Sequence, residues 1–280
     1  LSRGHVPGQG PYGERLKTSV EYVLASQKTA GILSRAYHET TGHYNHAIGS
    51  LVLTEIYGMS PPEDQDRLRP TIERAIAYTG LRNPRPKRSD DERGAWRYET
   101  PRANSDGDLS ITSWSVMSLR SAKNSGFEVE PEWIDEALAY MKRLYDPARG
   151  TFRYELRAED PVHNYPRGMA GAGVLSLSLA GEHHSEIAEN AAKYILAQPF
   201  DQYDRPLPSE EYPAYGAFYC SHAMYQMGGE YWEKFYPRLV KTLLRAQKAD
   251  GSWIVAQSRE AEFGPEYSTA VTVLALTPPY

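Results

Sequence analysis

The sequence predicts an all-α protein built from about five helical hairpins, and three observations carry that reading. A short segment recurs almost word for word: Gly94-Ala-Trp96-Arg97-Tyr98-Glu99, then Gly150-Thr-Phe152-Arg153-Tyr154-Glu155. A looser copy, Gln247-Lys-Ala-Asp-Gly251-Ser-Trp253, lies near the C-terminus, and a worn one, Gln27-Lys-Thr-Ala-Gly31-Ile-Leu33, near the start. Each copy follows an amphipathic helical pattern. After a polar loop, each is followed by a more uniformly apolar stretch. The repeating unit is therefore an outer helix, a glycine-centred turn and an inner helix buried by its neighbours.

Bulk properties narrow the function. A chain of 280 residues can bury a large core, and a single repeat array needs no division, so one domain spanning 1–280 is expected. Net charge is −5 with dispersed basic residues, which argues against a nucleic-acid footprint. No apolar run approaches the roughly 20 residues of a membrane span, so a soluble protein is expected, in the cytoplasm, the periplasm or outside the cell. The lone Cys220 excludes an intrachain disulfide framework. Residue 1 is Leu, as expected of a piece excised or processed from a longer chain. Tyrosine is unusually frequent, 21 residues, many near turns and helix starts, where an amphipathic ring suits a packed rim or a ligand-lined mouth.

Taken in order, residues 1–13 are too rich in Gly and Pro for regular structure. Leu16, Val20, Val23 and Leu24 recur at helical spacing on a half-wet outer helix, and Ala47 to Tyr57 reads as the first inner helix. Pro61-Pro62-Glu63-Asp64 is a helix start, with prolines and acids where the first turn favours them. The outer helix it opens carries Leu68, Ile72 and Ile76 to about Gly80. Ile111 to Ala122 is the second inner helix. Pro131 opens the next outer helix, with Trp133, Ile134, Ala137, Leu138, Met141 and Leu144 on one face. Gly168 to Ala180 is inner again, with small residues that permit close helix approach. Ile187 to Leu196 is outer, and the turn after it, Gln198-Pro199-Phe200, lacks the Gly-x-aromatic element. Ala214 to Met227 is inner, Trp232 to Gln247 outer, and Tyr267 to Leu276 the last inner helix, stopped by Pro278-Pro279. The long loops all join outer to inner helices and are expected to form one rim.

Gln247-x-x-x-Gly251-x-Trp253 resembles the Gln/Trp repeat of the squalene cyclase and protein prenyltransferase superfamily, and the alternating helices resemble its α/α toroid over essentially the whole chain. The chain looks most like bacterial prenyltransferase/squalene oxidase repeat proteins of unassigned activity. Complete toroids of that superfamily have about six hairpins, so the resemblance implies an open ring or an upstream piece. Physically, the motif is a staple: glycine suits the left-handed residue after a helix end, the glutamine reaches orphan carbonyls, and the ring packs back over the turn.

Two chemistries follow from the resemblance, each tested on residues. Class II terpene cyclases protonate their substrate with Asp-x-Asp-Asp, and the nearest segment here is Asp106-Gly107-Asp108-Leu109, with Leu109 where the third acid belongs. Asp108 is equally an N-cap for the second inner helix. Prenyltransferases hold zinc with Asp-x-Cys and a later His. Here Phe218 stands two before Cys220 and no His follows His222, so no metal or cofactor is expected and Cys220 is a small core residue. The candidate catalytic residues are thus Asp108 and Asp106; the candidate ligand contacts are Tyr44, His46, Trp114, Tyr219 and Tyr267.

Other patterns have plainer readings. His38-Glu39-Thr-Thr-Gly42-His43 lacks the His at 42 that a zinc-protease helix needs. His183-His184 begins an outer helix in solvent. Arg97 with Glu99, and Arg153 with Glu155, alternate along extended segments and are expected to pair at the rim. The preferred function is a toroid that binds an isoprenoid, lipid or glycan ligand, or a protein partner, at its funnel. The alternatives are a terpenoid cyclase using Asp108 as acid, and a polysaccharide-active toroid in which His46, Tyr44 and Arg97 line a wet groove.

Overall fold

A computed structural model describes residues 4–35, 39–83, 87–98, 106–158, 163–203 and 211–278. Among them run ten α-helices: α1 (Gly13–Leu24), α2 (Glu39–Met59), α3 (Pro62–Arg82), α4 (Leu109–Asn124), α5 (Pro131–Leu144), α6 (Arg167–Leu179), α7 (Glu186–Ala197), α8 (Pro213–Met227), α9 (Gly229–Ala246) and α10 (Gly264–Leu276). The all-α class is the one the sequence predicts, and helix boundaries fall within a few residues of the periodicity. One start differs: α2 begins eight residues before Ala47, taking in Gly42, His43 and His46. The only strands among the described residues are β1 (Tyr145–Asp146) and β2 (Thr151–Phe152), an antiparallel pair that brackets the Gly150 turn.

The chain divides into two compact units, Leu1–Tyr140 and Met141–Tyr280. In the first, inner helices α2 and α4 pack on each other and α3 covers both. Leu53, Leu68, Ile72, Leu109, Ile111, Leu119 and Trp96 form its core. In the second, α8 lies between inner helices α6 and α10, with α7 and α9 outside. The burial pattern separates the classes as the sequence implies. Outer helix α9 buries only Phe235, Leu239 and Leu243, one stripe at four-residue spacing, whereas α8 buries twelve of its fifteen residues.

Close approach of α6 to α8 depends on a missing side chain. A Cβ on Gly171 would lie 2.6 Å from the Cys220 amide nitrogen and from the Tyr219 carbonyl carbon. Both are backbone atoms and cannot swing aside. Gly171→Ala is therefore expected to cost about 2–3 kcal/mol or more in urea unfolding, the upper end for overpacking. Wild-type stability would show that the helices slide freely.

The repeated turn is a staple whose parts are now visible. Gly31, Gly94, Gly150 and Gly251 have φ of 97, 84, 66 and 87°, a region L side chains rarely adopt. The Trp96 indole N–H donates to the Thr79 carbonyl at 3.0 Å, and Trp253 donates to the Leu243 carbonyl at 2.7 Å. Each acceptor is the first of the four orphan carbonyls at its outer helix's C-terminus, α3 and α9. The glutamines do not reach those carbonyls. Gln27 and Gln247 donate instead to the carbonyls of Gly31 (3.1 Å) and Gly251 (2.9 Å) across the turn; at Gln247 the indole already occupies the helix end, and Gln27 also donates to the Thr71 carbonyl of α3 at 2.8 Å. In the fourth turn, which has no glycine, Arg167 of α6 takes over. Its Nη1 donates to the Gln198 and Pro199 carbonyls at 2.8 and 3.0 Å, and its guanidinium lies 3.6 Å from the Phe200 ring centre.

Candidate functional site

The Asp106-Gly107-Asp108 segment enters α4, and the two acids do different things. Asp108 is fully buried. Its Oδ1 accepts from the Ile111 amide at 2.8 Å as the N-cap of α4, and its Oδ2 pairs with Arg97 Nη1 at 3.0 Å. The Asp108 amide donates to the Trp96 carbonyl, and the Trp96 amide to Thr112 Oγ1. The repeat motif is thus sewn to the start of the inner helix, with Asp108 as the knot. Asp106 sits at the edge, its Oδ2 accepting from the Arg88 amide at 2.6 Å.

Of the two expected Arg-x-Glu pairs, the second resolves differently and the first falls outside the described residues. Glu99 lies outside the described residues, and Arg97 pairs with Asp108. Arg153 goes to Asp146 at 3.5 Å, and its Nε donates to the Tyr165 hydroxyl, which donates to Asp146 at 2.7 Å. The Tyr165 hydrogen bond foremost, then the Ala148 amide and the Arg153 charge, hold the Asp146 carboxyl below its usual range. The partner was predicted from alternation along a strand; the turn folds the arginine back to the helix-end acid instead.

His46 is buried, with both ring nitrogens engaged. The Leu33 amide donates to Nδ1 at 3.1 Å, so the proton sits on Nε2, which bonds Thr79 Oγ1 at 2.9 Å; that hydroxyl donates onward to the Ala75 carbonyl. In the worn first repeat the imidazole supplies the tie that Thr112 supplies in the second. Burial foremost, with the Arg82 charge adding to it, lowers its pKa from 6.5 to about 3. The folded state thus refuses a proton that the unfolded chain accepts below pH 6.5, so this stability is whole above that pH and declines as pH falls toward 3. By pH 5 the loss is on the order of 2 kcal/mol. His222, lowered to about 4 by burial, adds in the same direction. Urea unfolding of His46→Gln, whose amide does not titrate, is expected to show a flatter acid limb than wild type; parallel curves would mean that His46 is protonated when folded.

The remaining predicted contacts divide by burial. Trp114 and Tyr219 are core residues, Tyr219 fully buried with its ring against Phe218 and Tyr215. Tyr44 is half-buried, its hydroxyl 2.8 Å from Ser110 Oγ and its ring 6.4 Å from Tyr98. Tyr267 is half-buried in a cluster that sequence reasoning missed. Phe263, 46% exposed, stacks on Tyr212 at 6.3 Å and contacts Tyr267 at 5.0 Å. Behind them Glu260 is fully buried, its carboxylate accepting from the Ala214 and Tyr215 amides at 2.8 Å each and so capping α8 from a distant turn. Burial first, then the Glu260 charge, pushes the Tyr267 phenol up. Arg259 pairs with Glu211 at 3.3 Å on the same rim. The signal for this cluster was an aromatic placed just before a helix-opening proline, at Tyr165-Pro166, Tyr212-Pro213 and Phe263-Gly264-Pro265.

Among the described residues no three of His, Cys, Asp and Glu converge as a metal site, and no helix is long and apolar enough to cross a membrane. Cys220 is a buried thiol that donates to the Arg167 carbonyl at 3.3 Å.

The class defined by these features is an all-α protein of stapled helical hairpins. No protein-family model matches the sequence, and no curated protein matches it. Among solved structures it is similar to the type II terpene cyclase MstE from Scytonema, at 12% identity and TM-score 0.43 over 93% of this chain and 96% of that one. A variant of that enzyme in complex with its substrate, geranylgeranyl dihydroxybenzoate, matches at 12% and 0.42 over 93% and 95%. Another variant, in complex with its product merosterolic acid A, matches at 13% and 0.42 over 93% and 94%.

Proposed function

We propose that this protein is a binding module that takes an apolar, isoprenoid-class ligand on the aromatic rim at the starts of α8 and α10, without acid catalysis by Asp108. The observation that carries the reading is the half-open cluster of Tyr212, Phe263 and Tyr267, large rings left in contact with solvent at two inner-helix N-termini. Rings in that setting supply apolar area at low entropic cost and keep a polar handle for an alcohol or phosphate head. The Asp108 carboxylate already serves Ile111 and Arg97, which leaves it a structural role.

Calorimetric titration with a farnesyl-to-geranylgeranyl prenol series, beside an oligosaccharide series, tests the reading. Binding of the prenols is expected, weakened at least about tenfold by Phe263→Ala and Tyr267→Ala, as for hot-spot aromatics. Saccharide binding would shift the assignment to a glycan. A cyclised product that disappears with Asp108→Asn would replace the binding module with a cyclase, and no binding by either series would leave a protein partner as the occupant.

A further inference from the structure

Resting on the ligand-binding reading above, we propose that the aromatic rim of Tyr212, Phe263 and Tyr267 reads head-group charge: it takes an apolar ligand whose head is uncharged or cationic and excludes the diphosphate form. Two segments of the second unit build the rim, residues 211–215 and 259–267. Between them they carry four carboxylates, Glu211, Glu260, Glu262 and Glu266, against one cation, Arg259. Glu262 and Glu266 are exposed. Arg259 is already engaged, paired with Glu211 at 3.3 Å.

Helix starts ordinarily favour an anion, because unpaired amides and the macrodipole turn positive charge outward there. Here the protein's own carboxylates occupy both positions. The buried Glu260 carboxylate accepts from the Ala214 and Tyr215 amides at the start of α8, and Glu266 stands in the first turn of α10, its Oε2 3.0 Å from where a Cβ on Gly264 would lie. These charges reach the rings. Burial foremost raises the Tyr212 phenol, and the Glu211 and Glu262 charges add to the rise against the opposing Arg259. A diphosphate would bring further negative charge onto this surface, like against like, whereas a cation meets carboxylates and ring faces together. Ser268, next to Tyr267 in the same helix, is fully buried with a hydroxyl that meets no partner, a neutral group suited to an alcohol or ammonium head.

Calorimetric titration at low ionic strength with farnesol, farnesylamine and farnesyl diphosphate, one chain with three heads, reads the result. Farnesylamine is expected to bind at least as tightly as farnesol, and farnesyl diphosphate at least about tenfold more weakly than farnesol. That gap should shrink as salt screens the carboxylates. The double variant Glu262→Gln, Glu266→Gln, which leaves the buried Glu260 cap in place, should close most of it. Farnesyl diphosphate that binds as tightly as farnesol, alone or with Mg2+, would overturn the proposal while leaving the rim a binding site, and so would a gap indifferent to both salt and the double variant. If neither farnesol nor farnesylamine binds, or if Phe263→Ala leaves their binding unchanged, the rim is no ligand site and its selectivity falls with it.

Discussion

Replacing Asp108 with alanine is expected to lower stability by about 3–5 kcal/mol, because it removes at once a helix cap and the buried carboxylate that pairs with the Arg97 guanidinium. Arg97 is only 8% exposed, so water cannot readily take the carboxylate's place. Asp108→Asn should cost less, since an amide oxygen still accepts from Ile111 while only the charge is lost. Adding Arg97→Met to Asp108→Asn should recover much of the difference, because the buried charge that Asp108 offsets goes with it. Urea unfolding of the four proteins measures this. If Asp108 were instead a catalytic acid, its substitution would abolish turnover and leave stability near wild type.

Gly94→Ala is expected to cost more than about 3 kcal/mol, the sum of roughly 1 kcal/mol for a left-handed alanine and an overpacking clash. At φ 84° the new methyl would drive into the Glu136 carbonyl of α5, a backbone atom held by its helix. Gly251→Ala is the built-in control. It carries the same conformational strain at φ 87° but opens onto space, so the isolated chain should lose only about 1 kcal/mol. Equal losses at the two positions would show that strain alone, and not the packing of one repeat on the next, explains the glycines.

Most of the helices were legible because burial imposes period. An outer helix needs one apolar stripe, as α9 shows with Phe235, Leu239 and Leu243, and an inner helix needs apolar residues all round. The start of α2 was not legible: Gly42, His43 and His46 carry no apolar pattern, and the helix there is fixed by rings that meet Tyr78 of α3, with His46 and Tyr78 centroids 4.8 Å apart. The site was legible in part. Asp108 as a cap followed from its place before an apolar run. Its ion pair with Arg97 did not, because the partner is eleven residues away across a turn. The Thr112 and Thr269 ties did have a signal, each standing sixteen residues after its tryptophan, but only the paired bonds reveal what that spacing is for.

By itself, the sequence determined the all-α class, the alternation of outer and inner helices and the glycine turn that follows four of the five outer helices, because these rest on local periodicity and on backbone conformations that few residues can adopt. Tertiary structure alone decided which charges pair, that His46 stands as a neutral post between Leu33 and Thr79, and that Tyr212, Phe263 and Tyr267 gather at one rim. Those outcomes depend on distances between residues far apart in the chain, and burial then sets the energy of each contact by removing the water that would otherwise compete for it.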